Sequence, residues 1–440
     1  MDITPPSSAS FNAGLLAFLD ASPTPFHATH NLRAALLAAG FEFLDERAHW
    51  PLAPRGRYCF TRNDSALIAL CLGDQPLVEA GLRMVGAHTD SPCLKLKPRP
   101  EIHRHGYQQL GVEVYGGVLL NPWFDRDLGL AGRVTLELRD GTLLNRLLDL
   151  RRPIAIIPSL AIHLDREAND KRSINKQTQL PAVLGCASGE PFDLNKELLR
   201  HFTEIEPARG ITAIKASELA LYDLQPARLV GWREEFIASA RLDNLLSCYT
   251  GLRAITEGTP RVARLLICND HEEVGSGSTS GARGNFMESV LTRIAGSAEA
   301  LARTLANSML VSTDNAHGVH PNFADRHDAQ HEPVLNHGPA LKVNANQSYA
   351  TNSESAAFLQ WAAERAGVSL QSFVTRSDLG CGSTIGPLAA TRLGVRTVDV
   401  GVPTFAMHSI RELAGANDAH ALYRVLGKFY DLESVCVAQS

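Results

Sequence analysis

Apolar and polar positions fall into three textures along the 440-residue chain. From 12 to 39, Leu15, Leu16 and Leu19, then Leu32, Leu36 and Leu37, recur at the interval of a helix, and Ser22-Pro23-Thr24-Pro25 divides the stretch into two helices. A short strand is predicted over 67–72, and an apolar strand over 82–87 ends at His88-Thr89-Asp90. Between about 91 and 231 the runs become strand-like and are separated by turn signals. Residues 111–120 carry Val112, Val114 and Val118, and 132–139 alternate Val134, Leu136 and Leu138 with polar neighbours before an Asp140-Gly141 hairpin turn. Residues 153–163 are another apolar run, and 166–179 are polar and predicted as loop. After about 235 helix and strand patterns alternate: a helix over 243–256, a strand over 262–268, a helix within 289–304 and a strand over 308–312. A helix over 354–366, strands over 370–375 and 395–400, and a last helix from 418 toward 432 follow. This rhythm predicts an α/β fold, a three-layer domain with a mixed sheet covered on both faces, formed by 1–90 and 232–440 and split by an inserted β-rich domain over 91–231. No internal repeat or low-complexity tract interrupts it.

Composition narrows the class without choosing a chemistry. Hydrophobic residues make up 45% and charged residues 20%, so the chain can bury a sizeable core, and its length suits two domains. A net charge of −5 gives no footprint for nucleic acid or an anionic membrane. The eight cysteines are scattered with no Cys-x-x-Cys spacing, as expected of free thiols in a reducing compartment. No apolar run reaches the ~18 residues of a membrane helix, and no signal-peptide pattern opens the chain, so a cytoplasmic protein is expected.

In open α/β sheets, functional groups gather beyond the carboxyl ends of the strands. Four strand ends here deliver acidic and imidazole side chains: His88 and Asp90; Asp270, His271, Glu272 and Glu273; Asp314 and His317; and, after a short loop, His408. Asp243 opens the helix that follows the β-rich segment and could join them. Taken singly, a His-x-Asp or a Glu-Glu pair is usually a surface feature. Together they match a pair of divalent metals, which needs a bridging carboxylate, terminal ligands on each ion and one unligated carboxylate as base. Glu272 and Glu273 could divide base and ligand between them, and Asp90 could orient the His88 ring. The 380–386 segment lacks the Lys-Ser/Thr ending of a phosphate-binding P-loop and suits a backbone-lined pocket wall, with Ser383 and Thr384 as possible donors.

At these residues the chain resembles the aspartyl aminopeptidases. The resemblance rests on His88-Thr89-Asp90, on His271-Glu272-Glu273-Val274-Gly275-Ser276, on Asp314-Asn315-Ala316-His317-Gly318-Val319-His320-Pro321-Asn322 and on Met407-His408-Ser409. It extends to the segment from Phe18 to His27 and to Cys381-Gly382-Ser383-Thr384-Ile385-Gly386-Pro387, in the same order along nearly the whole chain. It implies a metallopeptidase that hydrolyses the N-terminal residue of peptides, with preference for Asp or Glu. The implied cofactor is two divalent ions, zinc foremost, with manganese or cobalt as substitutes. In that reading Asp243 bridges, His88 and His408 are terminal ligands on opposite metals, Glu273 and Asp314 complete the two spheres, Glu272 is the general base and Asp90 orients His88.

The resemblance also makes the inserted domain a dimerisation domain, with dimers building a hollow dodecamer. It makes His163, in Ala161-Ile162-His163-Leu164, a residue donated to the neighbouring subunit's active site, with a zinc ligand as the motif-based alternative, where residues alone suggest a strand-end histidine. Lys342, with Tyr349 near the reacting oxygen, would receive an acidic side chain, and His317 is counted with them in the substrate site. The family commonly has an arginine where this chain has Ser348, so one cationic contact is missing. Two other functions fit less of this pattern: a deacylase or carboxypeptidase on the same scaffold, or a binding protein with a decayed site.

Overall fold

The computed structural model of the protein describes residues 6–187 and 190–437. The chain divides into two compact units, one formed by Met1–Ser91, Ala227–Met407 and Glu412–Ser440, the other by Pro92–Pro226 and His408–Arg411.

The first unit is built on a nine-stranded mixed sheet. In spatial order its strands are Glu42–Phe43, Arg57–Arg62, Ala66–Cys71, Ala263–Asn269, Leu82–His88, Met309–Thr313, Arg396–Gly401, Ala340–Lys342 and Gln371–Phe373. The four strands from Ala263–Asn269 to Arg396–Gly401 are mutually parallel. Their residues are buried almost without exception, which is why they read as continuous apolar runs instead of alternating ones. Side chains still alternate between two cores. Val85, Ala87, Leu266 and Cys268 face the core shared with helices Ser8–Ala21, Pro25–Ala38, Leu242–Thr256, Ser353–Ala366 and Asp418–Tyr430. Met84, Leu265 and Ile267 face the core shared with Phe286–Ala295, Ala298–Ala306 and Ile385–Leu393. The three-layer α/β fold read from the sequence is therefore present. A five-stranded sheet in the order Arg228–Val230, Phe236–Ser239, Glu412–Gly415, Pro403–Phe405 and Ala316–His317 completes the unit.

The second unit is a six-stranded antiparallel sheet in the order Leu143–Asp149, Leu128–Leu138, Ile211–Asp223, Cys93–Arg104, Tyr107–Tyr115 and Ala182–Cys186. The helix Leu194–Ile205 packs on it through Leu194, Leu198 and Phe202, which recur every four residues, and Asp193 caps its start by accepting from the Lys196 amide at 3.0 Å. This helix goes beyond the β-rich reading of the region.

Local expectations differ in three places. The helix expected within 289–304 is two, because Gly296 takes a left-handed φ of 78° and ends the first, while Ser297 caps the second. The strand expected over 111–120 stops at Tyr115. The apolar run 153–163 forms no strand and makes only isolated bridges at Ala155 and Ile156.

Candidate active site

The parallel register sets the ends of the central strands side by side, since Asn269 pairs with His88 and Thr313 with Val400. His88 is the last residue of its strand and is 1% exposed. Its Nδ1 lies 3.0 Å from the Asp90 carbonyl oxygen and 3.4 Å from the Asp90 carboxylate, which fixes the ring's orientation. Its Nε2 lies 3.4 Å from Asp243 Oδ1 and 3.8 Å from Asp314 Oδ1. Asp314 follows its strand directly, and its backbone is pressed so close to the neighbouring strand that a Cβ on Gly401 would lie 1.8 Å from its carbonyl oxygen. Only glycine fits there.

Asp243 reaches the same place from the start of a helix, where it and Asn244 have non-helical backbone and the peptide between them is cis. Arg241, two residues earlier, sits in the left-handed region at φ 61°. The turn is clamped at both peptide ends. The Asp243 amide donates to Glu412 Oε2 at 2.9 Å, Ser91 Oγ donates to the Asp243 carbonyl at 2.6 Å, and Asn244 Nδ2 donates to the Thr313 carbonyl at 2.8 Å. Glu412 and Ser91 are buried, and no sequence signal singled them out.

Glu272 and Glu273 occupy a short 3₁₀ turn beyond the strand Ala263–Asn269, entered through His271 at φ 61°. Both of their amides, each at 3.1 Å, donate to the two oxygens of Asp90. Asp90 thus holds His88 with one part of its surroundings and the Glu-Glu turn with another. Ligand atoms of His88, Asp243 and Asp314 lie within 4.8 Å of one another, and so do those of His88, Glu272 and Glu273.

Charge crowding is the main electrostatic feature. Burial disfavours the imidazolium of His88, yet Asp243, Asp314 and Asp90 together outweigh that cost and raise its pKa. Burial pushes Glu272 upward, with Asp314, Asp243 and Asp90 adding to it against the pull of His88. Burial and then the Asp243 charge push Glu273 upward as well. Carboxylates this close and this buried repel one another unless a cation lies among them. Imidazole nitrogen with several carboxylate oxygens is the donor set of zinc and similar divalent ions. The residues present fit such an ion.

The substrate-site candidates line the same edge. Lys342 is 3% exposed, with Nζ 3.6 Å from Asp314 Oδ2 and 5.3 Å from the centre of the Tyr349 ring. A cleft of about 320 Å³ opens beside them, lined by His317, His327, Phe373, Arg376 and Phe405 among others. The His317 ring meets Phe373 edge-on at 5.6 Å. It opens to the cleft but is packed elsewhere, and this desolvation, followed by the Lys342 charge, lowers its pKa. The cleft's arginines face carboxylates of their own: Arg376 lies 2.7 Å from Asp378, and Arg326 lies 3.8 Å from Asp325. Ser383 is exposed on its loop, whereas Thr384 is buried and donates to Asp399 at 2.7 Å. Asp399 was not singled out from the sequence. Its only signal is a carboxylate in the middle of the apolar run 395–400.

Two expected residues belong to the second unit. His408 has a left-handed φ of 69°, and its Nδ1 lies 3.2 Å from the Gly117 carbonyl oxygen. His163 sits in an exposed turn with Leu160, Ile162 and Leu164, which are 58%, 47% and 75% exposed, and not at a strand end.

Comparison with known proteins agrees with this geometry. The family model described as Aminopeptidase I zinc metalloprotease (M18) matches residues 18–430. A relative from Ectopseudomonas mendocina (strain ymp), named a probable M18 family aminopeptidase 2, is 57% identical over 418 residues, covering 95% of this chain and 97% of its own. Among solved structures, a chain of the cryo-EM structure of the Ape4 and Nbr1 complex superposes with a TM-score of 0.92 at 38% identity, covering 98% of this chain and 88% of that one. The S. cerevisiae mApe1 dodecamer superposes with a TM-score of 0.80 at 27% identity, covering 95% of each chain. With a zinc-type donor set at its strand ends and this family match over almost its full length, the chain belongs to the M18 family of metal-dependent aminopeptidases.

Proposed function

We propose that this aminopeptidase removes Asp or Glu from peptide N-termini, using two divalent ions held by Asp243 as the shared ligand. His88 and Asp314 would hold one ion, and Glu273 and His408 the other. The contact of His408 Nδ1 with the Gly117 carbonyl is the kind of outer contact that fixes which nitrogen of a metal-bound imidazole faces the ion. Bound there, the ions would supply an activated water at neutral pH and polarise the carbonyl of the first peptide bond. Glu272, among the carboxylates but not needed as a ligand, takes the proton from that water and hands it to the departing amine. Asp90 keeps His88 and the amides of Glu272 and Glu273 in place for this exchange.

The observation that carries the acidic preference is Lys342. It is the buried ammonium beside Asp314, and a substrate carboxylate in the pocket needs such a fixed cation. Tyr349, stacked beneath it, His317 and the exposed Ser383 would complete the pocket, with Thr384 supporting the loop from inside. Ser348 brings no charge to the pocket, which leaves Lys342 to carry this preference. Lys342→Met is expected to lower kcat/KM on Asp-anilide about 100-fold and on Leu-anilide less than about threefold, the difference that one charge-assisted contact makes. Equal losses on both substrates would remove Lys342 from this role.

The exposed apolar turn around His163 supports a homo-oligomer, with dimers assembling to a dodecamer and His163 donated across the dimer. The eight free cysteines support a cytoplasmic location, and among the described residues no helix is long and apolar enough to cross a membrane.

A further inference from the structure

We infer that Asp399 is a positioning residue for the substrate pocket, holding the Tyr349-Ala350-Thr351 segment and the Thr384 loop in fixed relation to Lys342. This rests on the pocket assigned above to Lys342 and Tyr349.

Asp399 lies in the strand Arg396–Gly401 between Val398 and Val400 and has no exposed surface. An isolated carboxylate in such a place is costly, so its contacts must offset that cost. Ser312, opposite it on the strand Met309–Thr313, is one neighbour, and the other contacts lead to the pocket. The Ala350 amide donates to Asp399 Oδ2 at 2.6 Å, and Thr384 Oγ1 donates to Oδ1 at 2.7 Å. The backbone amide of Asp399 in turn donates to Thr351 Oγ1 at 2.9 Å. In the sheet, Asp399 is directly opposite Lys342, so the two side chains leave the same face. The first turn of the helix Ile385–Leu393, which follows Thr384, is pressed against the carboxylate, since a Cβ on Gly386 would lie 2.4 Å from Asp399 Oδ1. One residue therefore ties two segments distant in sequence to its own strand, and each of the two carries a residue placed in the pocket, Tyr349 on one and Ser383 on the other. Tyr349 is one bond from the Ala350 amide, and its ring lies under the Lys342 ammonium and 6.4 Å from Phe373. A shift of that segment would move the surface on which the substrate side chain rests, while the strand ends that carry His88 and Asp314 keep their own register.

The test is a graded series, Asp399→Asn and Asp399→Ala, assayed on Asp-anilide with metal content and folded fraction measured on the same samples. The expected result is a KM raised about tenfold in Asp399→Ala and by an intermediate factor in Asp399→Asn. The factor is intermediate in Asp399→Asn because the amide isostere keeps one of the two acceptor contacts, and in both variants kcat per folded site and metal content stay within about twofold of the parent. A fall in kcat with KM unmoved would show that Asp399 only supports the fold, and would overturn the inference. If Asp399→Ala does not fold, Thr384→Val removes one of the same contacts without changing volume, and the intermediate rise in KM expected of Asp399→Asn is required of it. Lys342→Met run alongside separates the two readings. Selective loss in Lys342→Met with parental KM in the Asp399 and Thr384 variants would sink the positioning role alone. Equal loss on Asp- and Leu-anilide in Lys342→Met would sink the pocket assignment on which it rests.

Discussion

Replacing Glu272 by Gln is expected to lower kcat on Asp-anilide by about 10³-fold, within the range of losing a general base, with KM and metal content nearly unchanged. The substitution is isosteric. The backbone contact that places Glu272, its amide on Asp90, does not depend on the side chain. His88, Asp243 and Asp314 keep their mutual approach, so the proposed ion between them stays. What disappears is the one carboxylate of the cluster assigned neither to an ion nor, like Asp90, to holding the others in place. Steady-state kinetics with metal analysis on the same preparation decides the matter. A loss of less than about tenfold would assign the base elsewhere, and a loss of metal would make Glu272 a ligand.

The second large effect concerns His163. His163→Ala is expected to be nearly inactive with its metals bound, and mixing it with Glu272→Gln before reassembly is expected to restore activity. In a mixed dimer, the site built around the intact Glu272 would receive the intact His163 of its neighbour. Random pairing then gives about a quarter of the parental sites. Recovery on mixing is specific to donation between subunits, since a residue that serves its own chain cannot complement another. No recovery, although size measurements show mixed oligomers, would confine His163 to its own subunit or to packing.

What the sequence disclosed of this site follows from how each residue is placed. His88 and Asp314 were legible because each directly ends a strand that is apolar throughout, and such strands announce themselves and their ends. Glu272 and Glu273 follow one further turn. Asp243 was less legible. It lies at the irregular start of a helix, and its position depends on Glu412, Ser91 and Thr313, which are far away in sequence. Asp399 was invisible for a different reason. Periodicity tells that a strand is buried, but not that one carboxylate within it meets an amide 49 residues away and a hydroxyl 15 residues away.

The second unit shows the limits of apolar patterning. Residues 153–163 are apolar yet form no strand, and Leu160, Ile162 and Leu164 stand at the surface. Apolar runs mark surface to be covered without saying by what. The helix Leu194–Ile205 escaped notice because its three buried residues are diluted by charged ones in a region dominated by the two-residue period. The strand Ala340–Lys342, three residues long, is too short for any period to show, whereas the strand read over 370–375 is present as Gln371–Phe373.

The shared role of Asp243 is tested most directly by X-ray data collected above and below the zinc absorption edge from crystals of the zinc-loaded protein. Two anomalous peaks about 3.5–4 Å apart are expected, both in contact with the Asp243 carboxylate and one also beside His88 Nε2 and Asp314. Both peaks should vanish or weaken sharply in Asp243→Asn. A single peak, or a pair that leaves Asp243 untouched, would contradict the two-ion centre.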